Sequence, residues 1–310
     1  MDKQKSLLPP ACEIGDRVAI IAPSGPFRPE YLHAGCELLR SWGLEPVYES
    51  EILEQWGYLA GHDQCRANTL LKAFLDPSIR AVLCARGGYG AVRLLSSMPW
   101  AELAKHPKRF FGFSDITILH NALRKNLGWI TFHAPMIASP LLLEGTAESI
   151  ERLKLALFAE TLTEICPPIP GTTLRPGCAR GQLVGGNLAL IASTIGTPYQ
   201  LDLCNAILFL EDIGEAPYRL DRLFQQLHLA GMLEQVAGLA LGDFGGPLQD
   251  DYTHYEAASF WLERLPLPFH CPILYNLPVG HIRNNWTLAL GAEVILDADL
   301  GTLSIFNYSR

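Results

Sequence analysis

The chain has 310 residues, 49% of them hydrophobic and 18% charged, with a formal net charge of −8. This length allows one large or two medium domains around a substantial core, and the apolar content excludes a disordered chain. The acidic balance, with no dense Lys/Arg tract, argues against a phosphate-backbone surface and so against a nucleic-acid partner, while leaving room for a local basic pocket.

The start, MDKQKSLLPPACEIGDR, offers only SLLPPAC before charge returns, far short of a signal-peptide apolar region, and Cys12 fails as a lipoprotein cysteine for the same reason. No run approaches the roughly 20 apolar residues needed to cross a bilayer, so no membrane role is expected and cytoplasm is the expected compartment. The cysteines at 12, 36, 65, 84, 166, 178, 204 and 271 show no CxxC and no metal-ligand spacing. They read as reduced and mostly buried. Without HExxH, GxGxxG or a P-loop, neither a metal nor a cofactor is expected.

In chain order, DRVAIIAPSGP predicts a buried strand ending in a turn. PEYLHAGCELLRSWG predicts a helix with Leu32, Cys36 and Leu39 on one face, ended at Gly43. LEPVYES is a second strand, and QCRANTLLKAFLDP a helix stopped by Pro77. IRAVLCARGG repeats the passage from strand to glycine loop, and KRFFGFSD does so again. Strands alternating with helices imply βαβ crossovers and a largely parallel sheet whose functional loops lie at the carboxyl ends of the strands. Gly87, Gly88 and Ser114 then share one edge.

AESIERLKLALFAE is helical, whereas TEICPPIPGTTLRPGCARG is rich in Pro and Gly and has no apolar period. It is expected to connect two domains, giving an N-terminal domain over 1–165, a linker over 166–180 and a C-terminal domain over 181–310; a long surface loop within one domain has the same composition. GQLVGGNLALIASTIGTPYQ predicts a turn and then a helix, and AILFLED a strand. YRLDRLFQQLHLAGML predicts a helix that buries Leu220, Phe224 and Leu227 and leaves Arg219, Asp221 and Arg222 off that face. LPVGH is a loop, and WTLALGAEVILDADLGTLSIF gives terminal strands turning at DADLG.

Ser114 stands where an apolar strand meets the expected start of a helix. It reads either as a helix N-cap or as a nucleophile that needs a nearby base. ARGGYG is either a tight turn or a loop whose backbone N–H groups face a developing oxyanion. Asp115 offers a backbone N–H beside the serine and a carboxylate suited to a helix start. Glu211, Asp212 and Glu215 are all placed to orient an imidazole, and pattern does not choose among them. His281 has the best loop context of the nine histidines, with His133 in WITFHAP as its competitor; His33, His120, His254 and His270 suit core or surface.

AIIAPSGP, ARGGYGA, FFGFSDIT, GQLVGGNLALI, FLEDIGEAPYRLDR and PVGH occur in that order across almost the whole chain. In these stretches the sequence resembles the LD-carboxypeptidase family, serine peptidases that include muramoyltetrapeptide carboxypeptidases and microcin C self-immunity peptidases. The resemblance implies a triad of Ser114, Glu211 and His281 and an oxyanion hole formed by the N–H groups of Gly88 and Asp115. It further implies an α/β fold, with an N-terminal Rossmann-like parallel-sheet domain, a smaller C-terminal mixed α/β domain, an active site in the cleft between them and a homodimer. The implied reaction removes the terminal D-Ala of the murein tetrapeptide L-Ala-D-Glu-meso-diaminopimelate-D-Ala, free or muramyl-linked, through an acyl-enzyme in cytoplasmic cell-wall recycling.

Arg86, beside the glycine loop, is one candidate for the terminal carboxylate; packing or surface exposure is its other reading. The alternative function is an immunity peptidase acting on peptidyl- or aminoacyl-nucleotides. That branch typically carries an expanded aromatic-bearing loop, and APMIASPLLLEGTAESIERL shows no such insertion. A non-catalytic two-lobed binding protein is the reading from another class, which an export signal would favour.

Overall fold

The computed structural model describes residues 6–245, 266–267 and 271–306, so His254 and His270 lie outside the described residues. The chain forms two compact units, Met1–Cys166 with Arg283–Gly291, and Pro167–Ile282 with Ala292–Arg310.

The first unit holds β1 (Arg17–Ile21), β2 (Glu45–Val47), β3 (Ile79–Cys84), β4 (Arg109–Gly112), β5 (Thr131–His133) and β12 (Leu288–Leu290), in the order β12-β5-β4-β3-β1-β2. β1 to β5 pair in parallel, and β12 lies antiparallel on β5. The near-continuous burial of RVAII and IRAVLC is what a sheet covered on both faces demands. The helices are α1 (Pro29–Ser41), α2 (Asp63–Leu75), α3 (Trp100–Leu103), α4 (Thr117–Leu127), α5 (Pro140–Leu143), α6 (Ala147–Phe158) and α7 (Leu162–Ile165). Local chemistry sets their ends: Pro29 occupies the first turn of α1, the Thr146 hydroxyl accepts the Ser149 N–H at the start of α6, and Thr161 with Glu164 forms a capping box on α7. Leu32, Cys36 and Leu39 are buried as their spacing predicts.

Strand order 2-1-3-4-5 distinguishes this sheet from the 3-2-1-4-5-6 order of dinucleotide folds. It sets the switch of winding direction between β1 and β3, the position in an open α/β sheet whose carboxyl-end loops commonly carry the site. In the core Phe111 of β4 and Phe132 of β5 stack with ring centroids 4.8 Å apart, and each fully buried phenylalanine contributes about 2 kcal/mol.

The second unit holds β6 (Ile169–Pro170), β7 (Thr172–Arg175), β8 (Cys178–Asn187), β9 (Ala206–Glu211), β10 (Gly238–Leu241), β11 (Ile273–Tyr275), β13 (Glu293–Asp297) and β14 (Thr302–Ile305). Their order is β6-β14-β13-β8-β9-β10-β11-β7, a parallel centre from β8 to β11 flanked by antiparallel strands. α8 (Leu188–Ser193) and α9 (Pro217–Leu229) contribute Leu188, Ile191, Leu220, Phe224 and Leu227 to the core of this unit.

The structure corrects three expectations. The linker expected over 166–180 is not a linker: β6, β7 and the start of β8 lie there, and Pro170 is tolerated because β6 is an edge strand. The C-terminal domain expected over 181–310 is interrupted, because residues 283–291 return to the first unit as β12. GQLVGG is not a turn but the body of β8. A Cβ on Gly185 would lie 1.9 Å from the Phe209 carbonyl oxygen, so the glycine admits the close approach of β9 that a turn reading overlooks. All eight cysteines are free, with Cys178 and Cys204 exposed. Among the described residues no helix is long and apolar enough to cross a membrane.

Candidate active site

β4 ends at Gly112, Phe113 continues extended, and Ser114 turns the chain abruptly with φ 64° into a 3-10 turn (Ser114–Ile116) that leads into α4. The cap position belongs to Phe113, so the N-cap reading of Ser114 fails. A β-carbon-bearing residue in the left-handed region costs on the order of 1–3 kcal/mol, and a strained turn between strand and helix is how a nucleophilic hydroxyl is lifted out of a sheet. Behind the turn His120 is buried, its Nε2–H donating to the Gly112 carbonyl at 2.8 Å while Nδ1 accepts from the Thr131 hydroxyl at 2.8 Å. Burial lowers the His120 pKa from 6.5 to about 4, which keeps the ring neutral in this role.

The glycine loop lies against the serine. A Cβ on Gly87 would stand 3.0 Å from Ser114 Cβ and 3.2 Å from its Oγ, so a side chain there would press on the serine. The next residue, Gly88, has φ 107°. The loop is tied to the one after β1, where the Gly25 N–H donates to the Gly87 carbonyl at 2.9 Å. Asp115 is fully buried: its Oδ2 accepts from the Ser24 hydroxyl at 2.6 Å and from the Ala91 N–H at 2.8 Å. Burial raises its pKa above the ordinary 3.8, partly offset by those two donors. The loops after β1, β3 and β4 therefore meet at one carboxylate, which is where the first unit gathers Ser114, Gly88 and Asp115.

In the second unit β9 delivers Glu211, fully buried, and the loop after β11 delivers His281. Their side chains meet at 2.7 Å; a carboxylate can only accept, so Nδ1–H of His281 donates to Glu211 Oε2. This fixes the neutral tautomer with its lone pair on Nε2, the form a general base requires. Gly280 and Gly242 leave room for the pair, since a Cβ on either would come within 3.3 Å of Glu211 Cβ.

The structure separates Glu211 from its two competitors. Asp212 is buried with its carboxylate spent on the Asn187 amide at 2.9 Å and the N–H groups of Ala189 at 2.9 Å and Ile213 at 2.8 Å, and burial raises its pKa. Glu215 faces Arg219 at 3.7 Å, one turn apart. His133 is buried at the end of β5, its ring 5.4 Å from that of Phe113, and His33 is exposed on α1. Arg86 is exposed and its guanidinium donates to the Pro26 carbonyl.

A cavity of about 670 Å³ in the first unit, lined by Arg17, Tyr48, Asn68 and Lys72 among others, includes neither Ser114 nor the glycine loop and lies apart from this chemistry. Among the described residues no group of three or more His, Cys, Asp or Glu side chains could hold a metal ion. Sequence reasoning passed over Ser24 and Arg66, and placed His120 as a core or surface residue, of which the structure makes it the first. The serine stands inside the matched stretch AIIAPSGP, but the histidine and the arginine carry no local signal.

Two family models match, one described as "LD-carboxypeptidase N-terminal domain" over residues 18–134 and one as "LD-carboxypeptidase C-terminal domain" over 180–296. The chain is 41% identical to "Putative carboxypeptidase SCO6489" of Streptomyces coelicolor, over 94% of this chain and 93% of that one. It is 37% identical to "Probable murein peptide carboxypeptidase" of Bacillus subtilis, over 93% and 91%. Among solved structures, a muramoyltetrapeptide carboxypeptidase from Oxalobacter formigenes aligns with a TM-score of 0.79 and 30% identity, covering 95% of this chain and all of that one. An MccF-like protein from Bacillus anthracis aligns in fold with a TM-score of 0.87 and 22% identity, covering 98% and 100%. The chain therefore belongs to the LD-carboxypeptidase family of serine hydrolases, which spans the muramoyltetrapeptide carboxypeptidases and the MccF immunity proteins.

Proposed function

We propose that this chain is a serine LD-carboxypeptidase that removes the terminal D-Ala from murein tetrapeptide, with Ser114, Glu211 and His281 acting as one triad. The observation that carries this reading is that each unit holds one part of such a triad. One is a strained serine with a glycine loop and a backbone N–H beside it; the other is a buried carboxylate fixing a histidine tautomer.

In this mechanism His281 takes the Ser114 proton as Oγ attacks the carbonyl of the L-configured centre, and Glu211 stabilises the imidazolium. The N–H groups of Gly88 and Asp115 hold the oxyanion; losing one such donor costs about 3 kcal/mol of barrier. The imidazolium then protonates the amine of D-Ala, whose C–N bond breaks. A water deprotonated by the same histidine releases the acyl group and restores the serine. The reaction belongs to cytoplasmic cell-wall recycling, and sedimentation of the purified protein checks the homodimer that the reading carries with it.

The curated relative from Bacillus subtilis supports the murein substrate, as does the structure from Oxalobacter formigenes. A second reading, hydrolysis of peptidyl- or aminoacyl-nucleotides, is favoured by the higher TM-score of the MccF-like fold. The compact passage from β5 to α6, without the expanded loop expected of that branch, speaks for the murein substrate.

Incubating the purified protein with free and muramyl-linked tetrapeptide, and in parallel with an aminoacyl-nucleotide, decides between them. Release of D-Ala detected by mass, and its loss in a folded Ser114→Ala variant, is the expected result. Cleavage of the nucleotide substrate alone moves the assignment to the second reading.

A further inference from the structure

Two buried charges outside the triad grip the same pair of loops. Arg66 on α2 is 1% exposed, and its Nη1 donates to the carbonyls of Pro23 and, at 3.0 Å, Gly90. The Asp115 carboxylate accepts from the residues that follow each of these, the Ser24 hydroxyl and the Ala91 N–H. The Gly90 carbonyl and the Ala91 N–H belong to one peptide group. That group thus lies between a cation at its oxygen end and an anion at its hydrogen end. Gly90 is shaped for this contact, since a Cβ there would stand 2.7 Å from Arg66 Nη1.

We propose that Arg66 and the Asp115 carboxylate are positioning residues, a charge clamp that locks the Gly90–Ala91 peptide and thereby holds the Gly88 N–H in register with Ser114. The proposal rests on the serine-hydrolase reading of Ser114.

A loop with glycines at 87, 88 and 90 has an easy alternative, rotation of a peptide plane by half a turn. At Gly90–Ala91 that rotation would turn the carbonyl oxygen onto the Asp115 carboxylate and the N–H onto the guanidinium, so both charges oppose it. An oxyanion donor must be held to within about 0.5 Å of its working position, which backbone propensity alone does not secure for such a loop. Stability does not account for the arrangement. Buried charges are costly to desolvate, and apolar side chains of similar volume are often at least as stabilising. Arg66 also pairs with Asp63, which binds Arg93 at 2.7 Å, so the cation is itself held in place. The second carboxylate oxygen of Asp115 has no hydrogen-bond partner among the described residues, so Oδ2 carries both contacts.

The test measures the rate at which a fluorophosphonate labels Ser114, a reaction that needs the nucleophile and the oxyanion hole but no particular substrate, alongside kcat and KM for D-Ala release. Arg66→Lys and Asp115→Asn should each slow labelling about 10- to 100-fold and lower kcat by the same factor, with KM within about twofold. Asp115→Asn keeps one oxygen that can accept from both donors, removes the charge and places an amide NH2 where Oδ1 stood. Ser24→Ala, which deletes a single hydroxyl, should slow labelling about threefold and decides the matter if the larger changes unfold the protein. Folded variants that label at the parental rate overturn the clamp, as does a fall confined to KM. A parent that labels but releases no D-Ala defeats the murein assignment while the labelling rates still judge the clamp. A parent that does not label overturns the serine reading and the clamp with it.

Discussion

The surroundings of Ser114 in the first unit and of Glu211 in the second follow the same plan up to a point and then diverge. In each, the residue of interest stands at or just past the end of a strand and an aspartate comes next: Ser114–Asp115 two residues beyond β4, Glu211–Asp212 at the end of β9. Each aspartate is buried, its pKa raised by burial, and each accepts a backbone N–H and a side-chain donor from a neighbouring segment. Ser114 itself takes the left-handed backbone, with φ 64°, whereas Glu211 stays in regular β-structure and the left-handed residues of its unit, Asn205 and Asn276, lie outside the strand that carries it. A hydroxyl on a one-carbon side chain reaches the reaction only if the main chain carries it there. A glutamate has length to spare and needs burial and one good hydrogen bond.

Ser114→Gly tests that difference most severely. It removes the nucleophile, with an expected loss of about 10⁴-fold or more in kcat, yet relieves the left-handed strain and should raise unfolding stability by about 1 kcal/mol. A denaturant titration showing no gain would mean that the turn is not strained. In the other half Glu211→Gln should lower kcat by about 10⁴-fold, because the amide no longer fixes the imidazole tautomer, with no comparable rise in stability. Gly87→Ala carries the comparison back to the serine's surroundings. The added methyl meets Ser114 Cβ at 3.0 Å, so kcat should fall about 100-fold while the circular dichroism spectrum stays parental.

The smallest effect is one of pH. Unfolded His120 binds a proton as pH drops below 6.5, whereas the folded ring resists until about 4, so stability is lost as pH falls through that window. Asp115 and Asp212 act in the opposite sense. The folded state holds their protons to higher pH than the unfolded chain does, so each lowers stability as pH rises from 3.8 through its raised value. His120→Gln should remove about 2–3 kcal/mol of the acid-side slope between pH 4 and 6.5, read from urea midpoints. An unchanged slope would assign it to other groups.

What the sequence discloses and what it conceals divide along contact range. The alternation from β1 to β4, the buried faces of α1 and α9, and the position of Ser114 just past a strand all follow from local period and turn chemistry. The choice of Glu211 over Asp212 and Glu215 does not, because it depends on which carboxylate meets His281, seventy positions further along the chain. Arg66 is hidden for the same reason: in QCRANTLLKAFL it reads as a solvent-facing charge, and only the return of two distant loops makes it a buried donor. β8 and the strands before it are disguised by glycine and proline, whose local preference for turns yields to pairing with β9, β11 and β14.

The excursion of residues 283–291 into the first unit also governs how the molecule comes off the ribosome. β5 receives its outer neighbour only from β12, encoded near the end of the message. While the intervening residues are made, β5 presents an unpaired edge of the kind that recruits stray strands. The nascent first unit thus remains one strand short until translation has passed residue 290.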